Sequence, residues 1–108
     1  MFQRICPLFL AFAVVLHADE TAEQIARGKA LYEGAGACFT CHQLDGTGIS
    51  QSVPPLAGSD WIKDSPERRI HITRYGLQGP IKVNERVYNG IMPPQAQLTS
   101  GQIADILT

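Results

Sequence analysis

Cys38-Phe39-Thr40-Cys41-His42 is the densest chemical signal in the chain. Two thiols three residues apart lie on the same side of one helical turn. Each can add to a vinyl group on neighbouring pyrroles of a porphyrin, giving two thioethers. The histidine that follows then projects its imidazole at the iron from one face. Cys-x-x-Cys-His is therefore read as a c-type haem attachment site, with Cys38 and Cys41 as anchors and His42 as a metal ligand. Three other uses of the same residues compete. A structural zinc centre needs four ligands; His71 is the distant fourth candidate, and His42 is crowded against the cysteines. A thioredoxin-like redox pair needs a βαβ frame, which the sequence lacks. A plain structural disulfide is the third.

A haem iron held by His42 needs a sixth ligand. The chain has two methionines, the initiator Met1 and Met92, and Met92 lies in Gly90-Ile91-Met92-Pro93-Pro94. The proline pair stiffens the segment after Met92, which suits presentation of a thioether at a fixed angle. A methionine can equally be a gap filler in a core. His71 is the rival ligand, although a histidine flanked by Ile70 and Ile72 on a helix suits a partly buried structural role.

The chain has 108 residues, with 9 basic and 10 acidic side chains and a formal net charge of -1. A single small domain fits that length. The charge balance excludes the basic footprint of a nucleic-acid binder. Arg4, the uncharged run Ile5 to Leu16, and Ala18 before Asp19-Glu20 have the layout of an export signal over residues 1–18. The run is short for a membrane span, which needs about 20 apolar residues, so no stable membrane insertion is expected; an uncleaved tether is the alternative. Cys6 has no lipobox-like residues before it, against a lipoprotein. Cleavage would leave a domain at 19–108, in which 21 residues are Ile, Leu, Val, Phe, Met or Trp. Scaffolds so small and poor in large apolar side chains usually need a disulfide, a metal or a bulky cofactor to fold.

The elements that must carry these groups are mostly helical. Thr21-x-x-Gln24 is a capping box that predicts a helix start, with Gly34 and Gly36 as its stop. Residues 37–59 are turn-rich and fit no regular element. Ser65-Pro66 opens a second helix that Gly76 ends. Ile81 to Tyr88 reads as a tiny hairpin around Asn84-Glu85. Thr99 with Gln102 is a second capping box, and Leu98 with Ile103 a hydrophobic staple, announcing a helix that has barely two turns before Thr108.

The order Gly28-Lys29-x-x-Tyr32, Cys38-x-x-Cys41-His42, Pro54-x-Leu56-x-Gly58 and Met92-Pro93, closed by a capped helix, resembles the class I (monohaem, His/Met) cytochrome c family over about residues 20 to 108. Gly76-Leu77-Gln78-Gly79-Pro80-Ile81 and Tyr88-Asn89-Gly90 look like the bacterial cytochrome c domains often joined to dehydrogenases. The resemblance implies an all-α fold with N- and C-terminal helices crossing at Gly28 against Ile103 and Ile106, and one covalent haem c with its iron. It implies further that the Pro54 carbonyl orients His42 and that Leu56 lines the haem. Trp61, Arg69 and Tyr75 become candidates to hydrogen-bond the propionates. Family members continue the last helix for a further turn or more, so either a fragment or packing supplied by a partner is implied.

A six-coordinate iron has no open position, which implies a one-electron carrier rather than an enzyme. The expected role lies between a dehydrogenase or quinol oxidase and a terminal acceptor in the periplasm, with transient docking to redox partner proteins. An enzyme subunit or a gas or redox sensor, in which Met92 is displaced, is the second reading. An exported disulfide or zinc module without haem is the third.

Overall fold

The computed structural model describes residues 8–108, with side chains from Thr21 onward. Arg4, Cys6 and the front of the expected export signal lie outside the described residues. The order of elements is α1 (Leu8–Glu33), α2 (Phe39–His42), α3 (Asp60–Asp64), α4 (Pro66–Tyr75), β1 (Leu77–Val83), β2 (Arg86–Met92) and α5 (Ser100–Ile106). Helix α1 begins well before Thr21, correcting the expected start there. Residues 8–27 contain neither glycine nor proline, so nothing in the uncut chain interrupts the helix before the capping box. Among the described residues, no helix is long and apolar enough to cross a membrane.

Two of the three N-caps read in the sequence form; the Thr21–Gln24 box lies inside α1 and opens no helix. The Ser65 hydroxyl accepts from Arg68 N, Pro66 opens α4, and Gly76 closes it. Thr99 and Gln102 make both halves of the capping box on α5, and the two staple residues Leu98 and Ile103 are both buried. Helices α1 and α5 pack together at Gly28. A Cβ there would lie 2.7 Å from the carbonyl carbon of Asp105 and clash harder with its oxygen, so only glycine permits this approach. Arg27 Nε pairs with Asp105 Oδ2 at 3.2 Å beside the crossing.

The fold is not purely helical, which corrects the all-α expectation. Strands β1 and β2 form an antiparallel hairpin from Leu77↔Met92 to Val83↔Arg86. It is longer than the sequence suggested, because Gly79-Pro80 does not break it. In a two-stranded sheet each strand is an edge, where proline's missing donor is tolerated. Asn84 and Glu85 both take positive φ at the turn, as a two-residue hairpin loop requires. Asn84 is clasped to α3: its Oδ1 accepts from Asp60 N at 3.0 Å, and its own N donates to Asp60 Oδ1 at 3.1 Å. Helix α3 itself, capped by the Ser59 hydroxyl, and the single turn of α2 both fall in or beside the stretch read as irregular.

Buried apolar side chains are few: Val83, Tyr88, Leu98 and Ile103 among the described residues. That is a thin core for a domain of this size.

Candidate functional site

Helix α2 is one turn long, closed by His42 N donating to Cys38 O at 2.9 Å. It leaves Cys38 half-buried and Cys41 exposed. Burial pushes the Cys38 thiol pKa up. His42, at the end of the turn, is 7% exposed. Its Nδ1 lies 3.0 Å from the Pro54 carbonyl oxygen. A carbonyl only accepts, so Nδ1 carries the proton and Nε2 keeps its lone pair. Burial lowers the His42 pKa and the Pro54 bond partly opposes this. The ring is thus held neutral, the form that can bind a metal.

The loop that supplies Pro54 is pinned by an Ile49↔Val53 bridge. The Gly46 carbonyl also accepts from Leu56 N at 2.7 Å and Ala57 N at 3.1 Å. Tyr32, near the end of α1, donates its hydroxyl to the Gln43 carbonyl at 2.5 Å. Burial raises the Tyr32 pKa, with the Cys38 and Asp45 fields adding, so the phenol stays a donor.

Met92 ends β2 opposite Leu77, and three contacts hold the segment behind it. Gln95 N donates to Thr73 O at 3.0 Å on α4. Gln97 Nε2 donates to Ala35 O at 3.3 Å, just before the cysteines. Gly76, at φ 78°, sits where a Cβ would lie 2.5 Å from Met92 O and 2.9 Å from Pro94 N.

These elements enclose a cavity of about 680 Å³ whose walls include Cys38, Cys41, His42, Pro54, Leu56 and Met92. All six residues singled out in the sequence meet there, although Met92 stands fifty positions from His42. The wall is otherwise largely apolar, with Ile62, Ile72, Leu77, Ile81 and Val83 among its members.

The propionate candidates divide. Trp61 lines the cavity, but its Nε1 donates to Lys82 O at 2.7 Å and is already committed. Tyr75 is 67% exposed, does not line the cavity, and sets its ring at a tilt against His71, 4.7 Å between centroids. His71 is likewise outside the cavity wall. Arg69 does line it; its Nη1 donates to Ile62 O at 2.6 Å while its buried Nε has no partner. Arg68, which the sequence reading passed over, behaves the same way. Its Nη2 donates to Trp61 O at 3.3 Å, its guanidinium lies 4.1 Å from the Trp61 ring centroid, and its buried Nε is unpartnered. A Ser65-Pro66 cap followed by two arginines one turn later was the available signal.

Two buried guanidinium donors without acceptors are costly unless an anion meets them. An apolar cavity of this volume, with an imidazole lone pair, a thioether, two thiols and two cationic donors on its walls, matches a large flat apolar group bearing carboxylates. Haem is such a group. Among the described residues, no three His, Cys, Asp or Glu side chains converge to hold a bare metal ion, as the zinc reading needs.

Comparison with known proteins agrees. A family model described as cytochrome c matches residues 25–108. A cytochrome c-552 of Thermus thermophilus is 40% identical over 89 residues, covering 74% of this chain and 60% of that protein. A second Thermus thermophilus cytochrome c-552 is 42% identical over 74 residues, covering 65% of this chain and 56% of its own length. The chain therefore spans less than two thirds of either relative. It belongs to the cytochrome c family, as a class I c-type member carrying covalently bound haem c with its iron.

Proposed function

We propose that the protein is a one-electron carrier, exported to the periplasm, that takes electrons from a dehydrogenase or quinol oxidase and passes them to a terminal acceptor. The observation that carries this reading is the convergence of Cys38, Cys41, His42 and Met92 on one cavity. Cys38 and Cys41 would attach the haem, His42 Nε2 and Met92 Sδ would ligate its iron, and Pro54 and Leu56 would wall the cavity that holds it. Pro54 orients the imidazole and raises its basicity through the Nδ1 bond. Arg68 and Arg69, both on the cavity wall, would supply positive charge towards the propionates. The haem supplies reversible one-electron chemistry, and methionine ligation raises its potential relative to two histidines. If His42 and Met92 both hold the iron, no open position would remain for a substrate, which favours a carrier over an enzyme. With 8 basic and 10 acidic side chains after residue 18, before any propionates, the balance favours weakly steered, transient docking.

The test is optical. The ferrous protein should show a sharp c-type α band, and the ferric protein a weak methionine-to-iron band at the far-red end. Met92→Ala should lose the far-red band while keeping the haem. Rapid carbon monoxide binding by the untreated ferrous protein would instead indicate a displaceable ligand, hence a sensor or an enzyme subunit.

Gly76→Ala should weaken the same band through the fold. Its Cβ would push on the Met92 carbonyl at a position whose φ already disfavours side chains. A loss of about 2 kcal/mol in stability is expected, read as a lower midpoint in thermal unfolding together with a partly bleached far-red band. An unchanged band and midpoint would contradict the tether assigned to Gly76.

A further inference from the structure

We infer that Tyr32 is a positioning residue for His42: its phenol clamps the strained peptide that follows the histidine and thereby fixes the direction of the imidazole. This rests on His42 ligating the iron, as proposed above. Gln43 has φ 69° and ψ 163°, a region essentially reserved for glycine, which a larger residue keeps only where its neighbours over-determine it. Two donors meet the Gln43 carbonyl: Tyr32 Oη at 2.5 Å and Gly46 N at 3.2 Å. Gln43 N in turn donates to Phe39 O at 2.9 Å, closing the α2 turn.

From that peptide the restraints run in a ring. Gly46 accepts from Leu56 N and Ala57 N, and Gly48 N donates to His42 O at 3.0 Å. Pro54, carried between these anchors, accepts from His42 Nδ1. The ring holds the histidine and its acceptor in register, and Tyr32 ties it to α1, the longest element of the fold. A phenylalanine would fill the same space but has no proton to give the Gln43 carbonyl. Without that donor the Gln43 peptide can relax, and the Nδ1 to Pro54 bond loosens. Nε2 then becomes a weaker electron donor, which costs the ferric state more than the ferrous one, so the potential rises.

The experiment uses the full haem-loaded chain and four variants: Tyr32→Phe, Gln43→Gly, the two combined, and Arg27→Gln. The last cuts the ion pair that Arg27, on the same helix as Tyr32, makes to Asp105 of α5, and controls for general loosening of α1. Equilibrium redox titration and the His42 ring-proton resonances of the ferrous protein are the readouts. Tyr32→Phe should retain covalent haem and shift its equilibrium with a reference carrier about threefold towards the reduced form, about 28 mV at 59 mV per tenfold. Its His42 resonances should move as well. In the Gln43→Gly background the same change should have less than half the effect, because glycine occupies this region without strain. Arg27→Gln should match the parent. Equal potentials and equal His42 resonances in parent and Tyr32→Phe would overturn the inference while leaving the carrier reading intact, and so would an equal shift from Arg27→Gln. A parent chain without haem on Cys38 and Cys41 overturns both.

Discussion

Replacing Cys38 and Cys41 together by alanine should lower the yield of haem-loaded protein at least about tenfold, and whatever haem remains should be extractable with acidified organic solvent. Thioethers would hold the cofactor irrespective of ligand exchange, whereas His42 and Met92, the proposed ligands, would hold it only reversibly. The effect on the polypeptide should be as large as the effect on the cofactor. Only four apolar side chains among the described residues are buried, and small scaffolds of this kind depend on a bulky group to complete the core. The check is a haem stain after denaturing electrophoresis, together with circular dichroism. A double variant with parental yield and stain would show that neither cysteine is an attachment point. Either single variant should retain at most one thioether and fall between the two.

Gly28→Val should be the most damaging change outside the cavity. The valine Cβ would fall on the Asp105 peptide, with Ile106 Cα 3.2 Å away. Backbone cannot swing aside as a side chain can, so α5 must move as a unit. Overpacking of this kind costs about 3 kcal/mol, which for a domain near 100 residues lowers the melting temperature by about 15 °C. Moving α5 also disturbs Ile106 and Leu107, which line the cavity, so the far-red band should weaken along with the fold. Thermal unfolding of the haem-loaded variant measures this. A melting temperature within about 2 °C of the parent would refute the close crossing.

What could be read from the sequence was what short-range chemistry dictates. Ser65-Pro66, Thr99 with Gln102, and the glycine at 76 each impose a local backbone choice, and each appears where expected. The cavity residues were legible because Cys-x-x-Cys-His is a covalent pattern, and because the family's order of motifs linked Met92, Pro54 and Leu56 to it. Some of the misses originate in distance along the chain. The Trp61 indole is claimed by the Lys82 carbonyl, a strand partner 21 residues away, which no local pattern reports. Helix α3 is five residues long and owes its place to the Ser59 cap and the Asn84 clasp, the latter again remote. Arg68 went unnoticed in the sequence because its guanidinium lies over Trp61, with a buried Nε, only once α3 and α4 are packed. The hairpin outran its expected length because Pro80 pairs in a sheet with two edges and no centre.

The most direct test is mass spectrometry of the exported protein with a proteolytic map. The intact mass should equal a polypeptide beginning after residue 18 plus one haem, and the added mass should stay on the fragment containing Cys38 and Cys41 through denaturation. A compact, exported chain whose fragment bearing residues 38–42 carries no added mass would contradict covalent attachment there, and with it the electron-carrying role built on that site.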